Sequence, residues 1–532
     1  MFRRDHVFAW IIALFGARPE QNNKALQSAA QSKSASERSV SGGRRQASWP
    51  WSVILLLVFA GCIRVLGLTS QSLSMDECYE RDRTEMSIAE LVQDPNSFPP
   101  LYHVALLGWF TVDSSEFALR TFSFACGMTS LGVLWLMVRR LIGDGEAWWT
   151  LLAGACSPFH IFYSQQGRVY MLYMLLALLA VACFVRLVKH GSLGNAAAFI
   201  TVSVLGGYVH YFFAIVLLSI GLVGMIVFGR RIVLGRLLPC AAVIGVLCSP
   251  LLLLVFDDLN YQLGLREPRP LNAGAIGYTY FSLISGYSLG ISRAELHAID
   301  QWTAFKQTLP WLLSSFAIAG TLVGVGIRGL RHHWSLGLWV GLLTVPIMIL
   351  LGLCIGFGVT YNTRFLVWLW IPGCVLIGAG LHHLNHATTR SIAFLSLAML
   401  FAVAIYNRQF NPRYMNEDVR AAANFVRQGE QQPILVCSAY MRRPLQYYLG
   451  STAEAIAIGP AKPGEAISPE EAEEYRQVPI WLVYCREFHG DPDGSLLRRF
   501  TGKEDPSPAF SAAGVQVFAC QPTTDHRSVS GN

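Results

Sequence analysis

The chain has 532 residues, of which 53% are apolar and only 14% charged, with a formal net charge of +7. Soluble globular domains carry about 25% charged residues, so this composition excludes a water-soluble protein and predicts a polytopic α-helical membrane protein. The basic residues sit beside apolar runs rather than along one stripe, which excludes a nucleic-acid-binding surface.

Residues 1–50 open with an apolar patch from Val7 to Ala17, too short to span a bilayer. A Ser/Gln/Ala-rich stretch with scattered Arg and Lys follows. No clear cleavage site accompanies the patch, and a full apolar run begins soon after, which argues against a signal peptide. The segment reads as a basic, mostly disordered cytoplasmic tail carrying a surface-lying helix.

Eleven apolar runs then read as spans: 51–68, 120–141, 147–163, 169–188, 195–209, 212–228, 237–256, 308–327, 334–356, 365–381 and 390–406. With a cytoplasmic N-terminus, the inner connections hold Arg139, Arg140, Arg186, Lys189, Arg230, Arg231, Arg236, Arg328, Arg331 and Arg390 against only Asp144 and Glu146. The outer segments 69–119 and 257–307 hold most of the acids. This is the positive-inside bias. An odd number of spans puts the C-terminus outside. The apolar run Pro99 to Phe110 is short and opens on two prolines. Counting it as a span would move Arg139 and Arg140 outside, so it reads as a helix lying on the outer membrane surface.

Past Arg413 the texture changes. Glu417 to Arg427 is an amphipathic helix, Pro433 to Ser438 a buried strand, and Arg443 to Leu449 a helix. Ala453 to Ile458, Pro479 to Cys485 and Val515 to Cys520 read as strands, with an acidic helix at 468–476. The organisation is therefore a membrane domain over 51–410, a small extracytoplasmic α/β domain over 411–522, and a disordered tail over 523–532. The 12 cysteines show no CxxC or Cys/His metal spacing. Cys437, Cys485 and Cys520 fall in the polar C-terminal region, where a disulfide among them is left open.

Four stretches carry groups able to do chemistry. Asp76-Glu77 follows the first span, in a segment that also holds Glu80, Asp82, Glu85, Glu90 and Asp94. Alone, the pair reads as solvated loop acids; its place just after a span, ahead of Pro99-Pro100-Leu-Tyr102, shifts the weight. Tyr163-Ser-Gln-Gln-Gly-Arg168-Val-Tyr170 puts an arginine on the outer side, against the charge bias, which calls for an anionic partner. Asn362-Thr-Arg364 does the same at another outer helix entry. His210-Tyr211 lies between two spans, where a hydrogen-bonded interfacial pair is an equal alternative. Arg64, inside the first span, must face protein, snorkel to the surface or line a cavity. Carboxylates supply a base, and guanidinium groups bind phosphate by bidentate charge-assisted hydrogen bonds. At a bilayer surface the natural phosphate is that of a lipid.

In order, Met75-Asp76-Glu77, Phe98-Pro-Pro-Leu-Tyr102, Phe117-Ala-Leu-Arg120, Ser157 to Gln165, Gly167-Arg168-Val-Tyr170, His210-Tyr211 and Thr363-Arg-Phe-Leu with Pro372 resemble the polyprenyl-phosphate-dependent glycosyltransferases of the GT-C fold. The likeness is to the bacterial branch of the protein O-mannosyltransferase and aminoarabinose transferase superfamily (family 39-like), and covers about residues 51–450. Cys78 departs from the frequent Asp-Glu-Ala motif, and the loop 257–307, with Asp257, Asp258 and Arg266, matches no particular acceptor.

The resemblance implies an inverting transfer of a hexosyl or pentosyl unit from a polyprenyl-phosphate donor. The acceptor would be a hydroxyl on a lipid, glycan or protein at the outer face of the inner (plasma) membrane. It implies Asp76 as base with Glu77 as helper, Arg168, Tyr170 and Arg364 around the donor phosphate, and Tyr102, His103, Tyr163, His210 and Tyr211 lining the site. Metal use varies among such enzymes; a magnesium or manganese ion would fall to Asp76 and Glu77. Two other classes compete. A lipid-linked sugar flippase shares the spans but commonly shows inverted repeats, and none is evident here. A non-catalytic envelope assembly protein with the same fold would not need Asp76, Arg168 and Arg364.

Overall fold

The computed structural model describes residues 50–94, 97, 99–111, 113–265, 273–459 and 466–522, with the backbone alone for 252–265, 273 and 469. The two expected tails, Phe98 of the Pro-Pro motif and Arg266 lie outside the described residues, as do the side chains of Asp257 and Asp258.

Seven described helices are long and apolar enough to cross a membrane: Glu116–Leu141, Tyr170–His190, Arg230–Leu251, Gln301–Gly329, Ser335–Phe357, Thr363–His383 and Ala387–Phe410. Three more expected spans appear as shorter apolar helices, Trp51–Leu66, Leu193–Val209 and Phe213–Phe228. The expected span 147–163 is broken. It forms Asp144–Cys156 and Pro158–Ser164, with Ser157 extended between them. Pro158 disfavours a helical Ser157, and the Ser157 side chain then caps the second helix.

Arg64 holds that break together from the first helix, and it faces protein. Its guanidinium, fully buried, donates to the carbonyls of Ala155 (2.9 Å) and Gly154 (3.2 Å), which end the helix Asp144–Cys156. Carbonyls at a helix C-terminus lack intrahelical partners and carry partial negative charge. Arg64 also meets His160 Nδ1 at 2.9 Å, so His160 turns its Nε2 proton to Ser130 Oγ.

The helix Tyr170–His190 is buried along nearly its whole length and forms the centre of the bundle. Gln301–Gly329 and Trp370–His383 meet backbone to backbone: a Cβ on Gly380 would strike the Leu322 carbonyl. Small residues allow such approach where lipid offers no hydrophobic driving force. The short helix Leu101–Phe110 buries Tyr102, His103 and Leu106 and exposes Trp109.

The C-terminal domain contains a five-stranded sheet in the order β2-β1-β3-β5-β4, with β1 Ile434–Cys437, β2 Ala455–Ala457, β3 Ile480–Cys485, β4 Phe510–Ala512 and β5 Val515–Cys520. β2-β1-β3 run parallel, and β5 and β4 return antiparallel. Apolar side chains cover both faces of the sheet. β4 escapes the sequence reading because three residues are too few to show an alternation. Cys437, Cys485 and Cys520 are buried free thiols, so the disulfide left open by the sequence is not formed.

The domain sits on the segment that follows the helix Trp51–Leu66 through polar contacts. Asp418 accepts from Ser72 Oγ at 2.7 Å, and Tyr448 Oη accepts from the Leu73 amide at 2.7 Å. Arg420 pairs with Glu116 at 2.6 Å, and Arg443 with Asp82 at 2.9 Å.

Candidate active site

The site grows from the helix Met75–Arg83. Ser74 caps it, and Glu77 closes a reciprocal capping box with the Ser74 amide (2.9 Å) and side chain. The pattern Ser-x-x-Glu is legible in the sequence; it marks this stretch as a helix start rather than a loop. Asp76 therefore lies in the first turn, where the helix dipole favours a negative charge.

The two neighbouring acids face different surroundings. Glu77 is 1% exposed. Arg120 grips both its oxygens, at 2.9 and 3.0 Å, and the Gly167 amide adds a third donor at 2.8 Å. Gly167 permits this approach, since a Cβ there would collide with Leu119. Burial alone would raise the Glu77 pKa; the Arg120 charge and the hydrogen bonds outweigh it and hold the pKa at about 2. Arg120 also donates to the carbonyls of Leu68, Gln71 and Ser72. Glu77 and Arg120 thus staple the turn after the first helix to the Gly167 loop.

Asp76 turns the other way and remains about a third exposed. Arg168 Nη1 stands 3.3 Å from Oδ1, and Arg364 Nη1 stands 3.4 Å from Oδ2. Arg168 lowers the Asp76 pKa most, burial opposes it, and Arg364, Arg293 and Arg486 lower it further, to about 2. Arg364 is placed by Asn362, whose side chain caps the short 3-10 segment Thr363–Leu369. Arg168 also reaches Glu80 at 3.5 Å, and its guanidinium lies 5.6 Å from the Tyr170 ring centroid.

The other expected residues divide into two groups. Tyr163 and Tyr170 pack ring to ring at 5.3 Å, and Tyr163 Oη meets Tyr287 Oη at 3.0 Å. His210 stacks on Tyr173 at 4.8 Å and lies edge-on to Phe365, the neighbour of Arg364. Burial, then the Arg168 charge, push the His210 pKa down to about 4, so it is neutral at pH 7. Tyr211 lies 5.5 Å from His210, ring to ring, and is 38% exposed. Tyr102 and His103 are buried: His103 Nε2 binds Glu80 at 2.5 Å, and Tyr102 packs with Leu73, Cys78, Leu106 and Leu119. They support the acidic helix from behind rather than line an open surface.

The ligand set expected for a metal does not fit. Both Glu77 oxygens are spent on Arg120, Gly167 and Ser74, and Asp76 faces two guanidinium groups. Among the described residues no group of three His, Cys, Asp or Glu is placed to hold an ion.

Sequence reasoning passed over Arg293 and Arg486, and named Glu417 only as the start of a helix. They come from the segment before Glu295–Ala298 and from the C-terminal domain, and no local pattern gives them a role. Glu80 was named only among the loop acids, and Arg120 only within a motif.

The bundle, with its acidic helix and appended sheet, is a GT-C fold, the fold of a class of membrane glycosyltransferases. The family model of dolichyl-phosphate-mannose-protein mannosyltransferases matches residues 97–253. Among solved structures, ArnT from Cupriavidus metallidurans in the apo state superposes with a TM-score of 0.54 at 14% identity, covering 88% of this chain and 97% of that one. The same protein bound to undecaprenyl phosphate superposes with a TM-score of 0.50, again at 14% identity and with the same coverage. A search of the curated protein sequences finds no match.

Proposed function

We propose that this multi-pass membrane protein is an inverting glycosyltransferase. It moves a hexosyl or pentosyl unit from a polyprenyl-phosphate donor to an acceptor hydroxyl at the outer face of the inner membrane, with the N-terminus cytoplasmic. The observation that carries this reading is Asp76 set between Arg168 and Arg364 at 3.3 and 3.4 Å. Likeness of fold to ArnT and the partial family match support it.

The chemistry runs as one displacement. The acceptor oxygen attacks the anomeric carbon, the bond to the phosphate oxygen breaks with its electron pair, and Asp76 takes the hydroxyl proton. The departing lipid phosphate gains a negative charge, which Arg168 and Arg364 stabilise. Glu77 is a positioning residue: it holds the helix that aims Asp76.

A carboxylate with a pKa near 2 is a feeble base towards a hydroxyl. The two arginines in ion-pair contact with it, Arg168 and Arg364, are the phosphate binders. When the donor phosphate engages them, Asp76 loses its partners and gains a negative neighbour, so its basicity rises. Base strength is thereby tied to donor occupancy. At saturating donor, kcat is expected to fall on the acid side through a pKa well above 2, since protonation of Asp76 removes the base. A kcat that stays flat down to about pH 4, the ordinary aspartate range, would count against this coupling.

Arg364 tests the phosphate site more cleanly than Arg168, which also holds Glu80. Arg364→Gln is expected to weaken undecaprenyl-phosphate binding about 10- to 100-fold, the worth of a hydrogen bond to a charged group. Calorimetric titration of the purified protein measures it; unchanged affinity would remove Arg364 from the phosphate site. Transfer itself is tested by following labelled sugar released from a polyprenyl-phosphate donor, with and without membrane acceptors. Absence of both hydrolysis and transfer would overturn the reading.

A further inference from the structure

Arg168 meets two carboxylates from one helix. Asp76 and Glu80 stand one turn apart on Met75–Arg83 and so share a face. Asp76 Oδ1 lies 3.3 Å from Nη1 of Arg168, and Glu80 Oε1 lies 3.5 Å from Nε. The two acids thus address different edges of one guanidinium. Their surroundings differ as well: Asp76 is about a third exposed, whereas Glu80 is buried.

Glu80 is fixed from behind. Its other oxygen, Oε2, accepts from His103 Nε2 at 2.5 Å, and Arg83 Nη1 stands 3.6 Å from the same atom. Arg83 in turn faces Asp94 at 3.7 Å. Burial alone would raise the Glu80 pKa; Arg168, His103 and Arg83 outweigh it and lower it, so the group is ionised at neutral pH. A carboxylate only accepts, so His103 donates through Nε2. His103 is itself buried on the helix Leu101–Phe110, edge-on to the Tyr102 ring at 5.4 Å. One Glu80 oxygen is therefore locked, and the other is left facing Arg168. On that side Arg168 Nε is buried and makes no hydrogen bond among the described residues, which leaves the Glu80 carboxylate as its ionic partner.

A guanidinium offers a phosphate two bidentate edges: the end edge, Nη1 with Nη2, and the side edge, Nε with Nη2. We propose that Glu80, locked by His103, is a positioning residue that closes the side edge of Arg168 and so directs the donor phosphate to the end edge, where it displaces Asp76. The proposal rests on the donor reading above and states how that site frees its base. A phosphate on the side edge would leave the pair of Asp76 and Arg168 intact, and the base would stay weak. The Glu80 charge at Nε opposes that arrangement by repulsion between like charges. Glu80 does not leave Arg168, so the arginine keeps its place while Asp76 and the phosphate exchange at Nη1.

The test is a double-mutant cycle read by the Kd of undecaprenyl phosphate, titrated into the full-length protein in nanodiscs. In the otherwise wild-type protein, Asp76→Asn should tighten binding severalfold, because the phosphate no longer has a carboxylate to displace. In a Glu80→Gln background the neutral amide yields the side edge, and the phosphate binds without displacing Asp76. There Asp76→Asn should change the Kd by less than about twofold. Glu80→Gln alone should leave binding as tight as in the wild type, or tighter. His103→Leu should shrink the effect of Asp76→Asn in the same direction, and His103→Gln, which keeps a donor, should restore it. A folding defect weakens binding in every background and gives no such rescue. If Asp76→Asn tightens binding equally with and without the Glu80 charge, or tightens it in neither, Glu80 does not choose the edge, and the proposal fails while the donor site stands. If Glu80→Gln weakens binding, Glu80 supports the phosphate itself, and the proposal fails. If undecaprenyl phosphate does not bind the wild type, the donor reading fails, and the proposal with it.

Discussion

Asp76→Asn is expected to lower sugar transfer by about 100- to 10,000-fold, the range supplied by a positioned general base. The replacement is isosteric, and Asp76 is partly exposed at the start of a helix capped by other residues, Ser74 and Glu77. Folding and membrane insertion should therefore survive. The same change removes the carboxylate that occupies Arg168 and Arg364. Undecaprenyl phosphate should then bind as tightly as before, or more tightly. Loss of turnover with gain of donor affinity is a pattern that general misfolding does not produce. Transfer rate and donor Kd, measured on one preparation, decide it. Full activity in the variant would remove Asp76 as the base.

The second large effect is on stability. Arg120→Leu leaves Glu77 buried with its bidentate partner gone, and strips donors from three carbonyls. Breaking one side of a buried ion pair costs about 3–5 kcal/mol. Thermal unfolding in detergent should show a marked fall in Tm, together with loss of activity as the acidic helix loses its anchor. A double variant, Arg120→Leu with Glu77→Leu, should recover part of the stability, because no charge is then left buried. It should not recover activity. Equal Tm for wild type and Arg120→Leu would show that the pair holds nothing in place.

The same pair shows how far a sequence can be read. Asp76 and Glu77 are adjacent, so residue order suggested a shared task. In a helix, consecutive side chains point about 100° apart, and here they face opposite surroundings: one an arginine clamp in the interior, the other a partly exposed place between Arg168 and Arg364. The Ser-x-x-Glu spacing carried that information, because a capping Glu77 is turned back on its own helix and is not free to act beside Asp76. The expected span 147–163 failed for a related reason. Hydropathy averages over a window and does not register one Ser-Pro step, whereas Pro158 and the carbonyl-binding Arg64 break the helix there. Tyr102 and His103 were grouped with the lining residues because polar aromatics near a motif invite that reading. Burial against Glu80 and Leu106 makes them supports.

By itself the sequence determined the solvent of this protein and the existence of a polar α/β domain after the last apolar run, and it singled out Asp76, Arg168 and Arg364 as candidates. Each is written in local pattern: apolar run length against bilayer thickness, alternation of helix and strand signals, and charges set against the positive-inside bias. Only the tertiary structure decided which charges meet. Asp76 and Arg364 are separated by 288 positions, and Glu417 and Arg486 come from a domain that folds after the membrane helices end. No local signal encodes such distances, because contact across the fold follows from how whole helices and a sheet pack against each other. That packing turned Glu77 into an anchor and left Asp76 between its arginines.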